Sequence, residues 1–141
     1  MDYQELIDDH DQIDELARQL ETVAKGDRSD EPLVDQLLSK LESVVALHLH
    51  KEDSFIYPRI AASVDPANAQ DLITEFEQIK HDWQAYLGAW KDGQAREDWE
   101  AFRTSTIGML ARLRVRVMKE TGLLYGMAMR EGLIDMRPAG R

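Results

Sequence analysis

Residues 41–55 read LESVVALHLHKEDSF and contain the pattern on which the fold depends. Leu41, Val45, His48, Glu52 and Phe55 recur at steps of three and four residues, so an α-helix places all five on one face. The apolar members predict that this face is buried, and a buried imidazole or carboxylate needs a partner or a metal ion. The stretch therefore predicts a helix that carries two polar groups, one turn apart, into the core of a bundle.

Apolar residues recur at the same steps along most of the chain, and the period-two alternation typical of strands is absent. We predict four helices, over about residues 3–24, from about residue 30 to Pro58, from Asp65-Pro66 to Gly93, and over about residues 96–130. Amphipathic helices with short links predict an all-α, up-down-up-down four-helix bundle. The 141 residues are expected to form one domain, with a loosely ordered tail over about residues 132–141.

Composition narrows the chemistry that such a bundle could carry. The chain has no cysteine, so a metal ion would have to be held by histidine and carboxylate. The formal net charge of −10 disfavours nucleic acid and anionic membrane surfaces as partners. No apolar run approaches the ~20 residues of a membrane span, and the N-terminus has no apolar signal core, so we expect a cytoplasmic protein.

Two further polar groups fall on apolar helix faces. His10 lies on the stripe of Ile13 and Ala17, and Glu120 lies near the stripe of Leu113 and Val117. Two buried carboxylates, Glu52 and Glu120, repel each other unless a cation lies between them or one is protonated. Imidazole and carboxylate groups on facing helices are ligands that iron, manganese or zinc accept.

Two short repeats suggest that the bundle consists of two similar helical hairpins. Lys51-Glu52 followed by Tyr57 recurs 68 residues later as Lys119-Glu120 followed by Tyr125. His10-Asp11 followed by Leu16 recurs 71 residues later as His81-Asp82 followed by Leu87. Hairpins related by a pseudo-twofold axis would explain both, although matches this short also arise by chance.

These motifs resemble the hemerythrin-like family of His-His-Glu cation-binding bundles. The resemblance rests on His10 in helix one and, above all, on HLHKEDSFIYP from His48 to Pro58 in helix two. It implies a hemerythrin-like fold that holds non-haem iron, as one or two ions, with manganese or zinc as alternatives. The metal ligands that it implies are His10, His48, Glu52, His81 and Glu120, with His81 assigned by its order along the chain.

The chain departs from the family pattern at two positions. Where helix four of the family has a histidine, four residues before Glu120, this chain has Arg116, and a guanidinium cannot bind a metal. Arg116 either replaces the second metal by neutralising the glutamates or extends outward to a surface acid. His81 lies opposite the stripe that contains Phe76, Trp83 and Trp90. Either this stripe packs on a second copy of the chain while His81 faces the bundle centre, or the stripe is core and His81 is solvated.

We therefore expect a small metal-binding protein that uses non-haem iron to bind or sense oxygen, nitric oxide or iron itself. The alternative is a metal-free bundle that acts as a regulatory or protein-interaction module. A redox enzyme that reduces peroxide or repairs iron centres is a third reading. An enzyme is the less favoured class, because no proton-transfer or nucleophile arrangement supports turnover.

Overall fold

A computed structural model describes residues 3–26, 31–56, 66–124 and 126. Over these residues the chain forms four α-helices, two π-helical turns and one 3-10 turn. In chain order they are α1 (Tyr3–Lys25), α2 (Glu31–Lys51) with a π turn (Glu52–Ile56), α3 (Pro66–Trp90), a 3-10 turn (Gln94–Arg96), and α4 (Trp99–Lys119) with a π turn (Glu120–Leu124).

The predicted all-α, up-down-up-down bundle is confirmed. Helix α1 packs against α2 and α4, and α3 packs against α4. The faces expected from the three- and four-residue spacing line the core, which includes Leu20, Leu38, Leu41, Phe76, Phe102 and Leu110 as its most buried large side chains. None of the described helices is both long and apolar enough to cross a bilayer.

The link between α3 and α4 explains where α4 begins. Asp92 and Gly93 both adopt left-handed backbone conformations, with φ of 62° and 81°. The side chain of Asp98 accepts a hydrogen bond from the backbone N–H of Ala101 at 3.0 Å, which is the geometry of an N-cap. The helix therefore starts at Trp99, three residues later than the predicted start near Arg96.

The predicted ends of helices two and four cannot be compared with the structure. Helix two was expected to end at Pro58 and helix four at about Arg130, and both positions lie outside the described residues, as do Tyr57, Tyr125 and the tail over residues 132–141. Within the described part, the α-helical hydrogen bonding of α2 and α4 gives way to π turns at Glu52 and Glu120.

The aromatic stripe of α3 belongs to the core of the chain itself. Phe76 and Trp83 are buried, and the partly buried Trp90 packs edge-on against Phe102 with ring centroids 5.8 Å apart. The prediction of a homodimer through the Phe76, Trp83 and Trp90 face is therefore wrong, because this face is covered by the other helices and is not available to a second copy.

A buried hydrogen bond between α3 and α4 provides a test of this packing. The hydroxyl groups of Tyr86 and Thr106 lie 2.7 Å apart, and burial raises the pKa of the Tyr86 phenol. Thr106→Val leaves the phenol without this partner, so we expect it to lower the free energy of unfolding by about 1–3 kcal/mol in urea denaturation. Tyr86→Phe combined with Thr106→Val removes both polar groups and should recover most of that loss. A double variant as unstable as the sum of both single variants would contradict this interpretation.

Candidate metal centre

Four buried polar side chains from three helices converge at one end of the bundle core. They are His10 of α1, His48 and Glu52 at the end of α2, and Glu120 at the end of α4. Each is at most 3% exposed. One ligand atom from each of the four lies within 4.8 Å of those of the others.

The outer nitrogens of both imidazoles are held by hydrogen bonds that fix the direction of the inner ones. Nδ1–H of His48 donates to the Asp9 carboxylate at 3.0 Å. The Thr121 hydroxyl donates its proton to the Val117 carbonyl, so it accepts from Nδ1–H of His10 at 3.0 Å. Both Nε2 atoms consequently point inward. Hydrogen bonds of this kind, from the second ring nitrogen to a carboxylate or an oxygen, orient histidine ligands in metal sites.

The two inward nitrogens lie too close together to face each other without a positive charge. Nε2 of His10 is 3.0 Å from Nε2 of His48 and 3.0 Å from Oε2 of Glu120. Nε2 of His48 is 3.4 Å from Oε2 of Glu120 and also contacts Oε1 of Glu52. Lone pairs at these separations repel unless a proton or a metal ion lies among them. Ligand atoms bound at right angles to one ion, each at about 2.1 Å, lie about 3 Å apart, so the donor set fits a cation.

Each glutamate divides its two carboxylate oxygens between the imidazoles and Arg116. Oε2 of Glu120 faces the imidazoles, while Oε1 accepts from Nε of Arg116 at 2.6 Å. Oε1 of Glu52 contacts His48, while Oε2 accepts from Nη2 of Arg116 at 3.4 Å. The two carboxylates thus lie between a pair of imidazoles on one side and a guanidinium on the other.

Arg116 belongs to the buried core of the site. Its side chain is 6% exposed, Nη1 donates to the Phe76 carbonyl at 3.0 Å, and its Cζ lies 5.0 Å from the centroid of the Phe76 ring. The reading in which Arg116 extends outward to a surface acid is therefore wrong. A cation over an aromatic face is stabilised by the ring quadrupole, and this contact adds to the two ion pairs.

The charges of the cluster shift the pKa values of its members. Burial opposes protonation of His48, but hydrogen bonds with Glu120 and Glu52 raise the pKa of its imidazole to about 10. Burial and the neighbouring charge of Glu120 raise the pKa of Glu52. Burial alone would raise the pKa of Glu120 as well, but hydrogen bonds with His10 and His48 and the charge of Arg116 hold it well below its usual value. The metal-free cluster therefore retains a proton beside the glutamates.

Both glutamates occupy the same position in their elements, as the first residue of a π turn. Such turns are rare and occur frequently at functional sites. Each follows a lysine that ties its helix to the preceding one: Lys51 contacts Asp9 on α1 at 2.9 Å, and Lys119 contacts Glu75 on α3. The Lys51-Glu52 and Lys119-Glu120 repeat thus corresponds to a repeated local structure.

The structure does not bring His81 to this cluster. Its side chain is exposed, on the face of α3 opposite the buried Trp83, and His50 is also exposed, as expected. The repeat of His10-Asp11 at His81-Asp82 therefore does not correspond to equivalent surroundings. Of the two arrangements left open for α3, the structure has the aromatic stripe in the core and His81 on the surface.

Sequence reasoning missed the residues that support the imidazoles, Asp9 and Thr121. Asp9 is the residue before His10 and accepts hydrogen bonds from both Lys51 and His48. Thr121 is the residue after Glu120. Their only signal in the sequence is adjacency to a candidate ligand, and adjacent residues on a helix do not normally share a face.

Comparison with known proteins agrees with this geometry. Residues 1–128 match the family described as the hemerythrin HHE cation binding domain. Neither the curated proteins nor the solved structures include a match to the chain. Since the family match covers most of the chain and the helices bring histidines and glutamates together in the core, the protein belongs to the hemerythrin HHE cation-binding domain family.

Proposed function

We propose that this protein binds non-haem iron through His10, His48, Glu52 and Glu120, and that it uses the ion to bind or sense oxygen, nitric oxide or iron status. The observation that carries the proposal is the 3.0 Å approach of two Nε2 atoms whose outer nitrogens are already committed as donors. Two nitrogens and two carboxylates suit iron, with manganese or zinc as the other ions that such ligands accept. The cytoplasmic location stays a prediction.

The space beside the cluster supports a small ligand. A cavity of about 20 Å³ adjoins His48, Glu120 and Arg116 and is otherwise lined mainly by apolar side chains, Ile13 and Trp83 among them. This is enough room for about one water-sized molecule. A diatomic gas fits the size and the apolar character of such a cavity, whereas an organic substrate does not.

The residues around the cluster have separable roles in this proposal. Asp9 and Thr121 orient the imidazoles, Arg116 neutralises part of the charge of the glutamates, and the apolar walls limit the access of water. When bound, iron supplies a Lewis-acidic and redox-active centre that accepts small ligands. No arrangement for proton transfer to an organic substrate accompanies it among the described residues, so we propose binding or sensing rather than turnover.

One observation favours a second candidate, a metal-free bundle with a regulatory or protein-interaction role. Arg116 already pairs with both glutamates, so part of the charge of the cluster is balanced without an ion. The inward Nε2 atoms favour the metal-binding proposal over this one, because an interaction module has no need of convergent imidazoles. Measurement of bound metal separates the two candidates.

Protein purified under low oxygen and loaded with iron(II) is expected to retain metal after desalting, as measured by elemental analysis. His48→Ala and Glu52→Ala should each remove most of it, because each deletes a buried ligand. The matched controls are His50→Ala and His81→Ala, which delete exposed imidazoles and should leave the metal content unchanged. Wild-type protein without metal would refute the proposal and favour the metal-free module. Thermal unfolding of each metal-free variant identifies any loss that is due to misfolding.

Metal affinity is expected to fall in acid. An imidazole binds a metal only when it is neutral, and hydrogen bonds with Glu120 and Glu52 raise the pKa of His48 to about 10 in the metal-free cluster. An ion must therefore displace a proton, so the affinity should fall by about tenfold for each unit of decreasing pH while one proton is exchanged. Retained metal after dialysis at several pH values measures this. Retention that does not depend on pH would contradict ligation by the histidines.

The iron-loaded protein is expected to bind small anionic or diatomic ligands. Addition of azide or nitric oxide should produce a new absorption band between ligand and iron, and larger anions should give a weaker response because the cavity is small. Ile13→Trp, which fills the cavity wall, should weaken the response while the iron content stays the same. A spectrum insensitive to azide, oxygen and nitric oxide would leave iron storage or iron sensing as the function. Catalytic consumption of peroxide would instead favour a redox enzyme.

A further inference from the structure

The hairpin of α1 and α2 and the hairpin of α3 and α4 are held together by equivalent contacts. In the first hairpin, Asp9 pairs with Lys51, and the rings of His10 and His48 pack edge to face with centroids 4.7 Å apart. In the second, Glu75 pairs with Lys119. The residues next in line there are Phe76 and Arg116, whose ring and guanidinium lie 5.0 Å apart.

These contacts give a register for the repeat that differs from the one read from the sequence. Asp9 and Glu75 are 66 residues apart, and so are His10 and Phe76. His48 and Arg116 are 68 residues apart, and so are Glu52 and Glu120. The buried residues follow the same register, which pairs Ile13 with Ile79, Ala17 with Trp83, Leu20 with Tyr86, Leu41 with Met109 and Val45 with Leu113.

In this register the counterpart of His10 is Phe76 and not His81. The two candidates are five residues apart on α3, which turns an α-helix by about 140° and explains why His81 lies on the exposed side. The second hairpin thus offers a phenyl ring and a guanidinium at the positions where the first hairpin offers two imidazoles. Neither replacement can bind a metal.

The guanidinium occupies the second half of a symmetric charge arrangement. The oxygens of Glu52 and Glu120 that face away from the imidazoles are the ones that accept from Arg116, at 3.4 Å and 2.6 Å. The two carboxylates therefore join two positive positions, one among the imidazoles and one already filled by a side chain. A guanidinium stays protonated in proteins and is attached to the chain, so it cannot exchange for an ion.

We propose that Arg116, supported by Phe76, is a permanent substitute for a second metal ion, and that each chain therefore binds one ion only. The proposal rests on the metal-binding function proposed above. It has two consequences that can be measured separately. The stoichiometry is one ion per chain, and Arg116 stabilises the fold in the absence of metal, because it balances one of the two buried negative charges of Glu52 and Glu120.

Stoichiometry is tested by restoring imidazoles to the second hairpin. Wild-type protein loaded with excess cobalt(II) or iron(II) should retain one ion per chain by elemental analysis. Phe76→His combined with Arg116→His should retain two, and adding His81→Ala to that variant should leave two. Phe76→His alone is the matched control and should retain one, because Arg116 still fills the position. Two ions in wild-type protein or in the Phe76→His control would overturn the proposal, as would one ion in a folded double variant.

Stability of the metal-free protein provides a second test that does not depend on metal loading. Arg116→Met removes the buried positive charge at similar length, and we expect the Tm of the metal-free protein to fall by roughly 10 °C or more. Arg116→Lys keeps the charge and should recover part of that loss. An unchanged Tm in Arg116→Met would overturn the role of Arg116 as a substitute cation. Wild-type protein that binds no metal would refute the function proposed above, while the comparison of Arg116→Met with Arg116→Lys would still decide this role.

Discussion

The structure depends on how two buried glutamates share their negative charge. Glu52 and Glu120 lie in the core without solvent, and two carboxylates so placed repel each other strongly. Each turns one oxygen to the imidazoles of His10 and His48 and the other to the guanidinium of Arg116. The three helices that carry these residues are thereby held at one end of the bundle by complementary charge, in addition to the apolar packing further along.

Much of this centre could be predicted from the sequence, because the residues concerned interrupt apolar stripes. His48 and Glu52 lie one turn apart among Leu41 and Val45, and this spacing places both in the core wherever the helix is packed. The fold class follows from the same periodicity. For His10, Glu120 and Arg116 the stripe predicts the face, but only the packing of helices shows which atoms meet.

The errors and gaps have equally specific causes. On α3 both faces looked usable, since an aromatic stripe packs as well on a partner as in a core, and only the surrounding helices decide that Trp83 is inside and His81 outside. The supporting roles of Asp9 and Thr121 depend on the distance between neighbouring helices, which a helical wheel does not contain. The register of the repeat likewise follows from the ion pair of Glu75 with Lys119, a contact between helices.

The π turns at Glu52 and Glu120 have a consequence for how related chains should be aligned. A π turn holds about one more residue than an α turn, so the residues after each glutamate are rotated relative to the pattern before it. Heptad-like periodicity counted across either glutamate therefore assigns the following side chains to the wrong side of the helix. An alignment that allows a single-residue offset at these two positions would keep the core of the bundle and the segments beyond it each in their own phase.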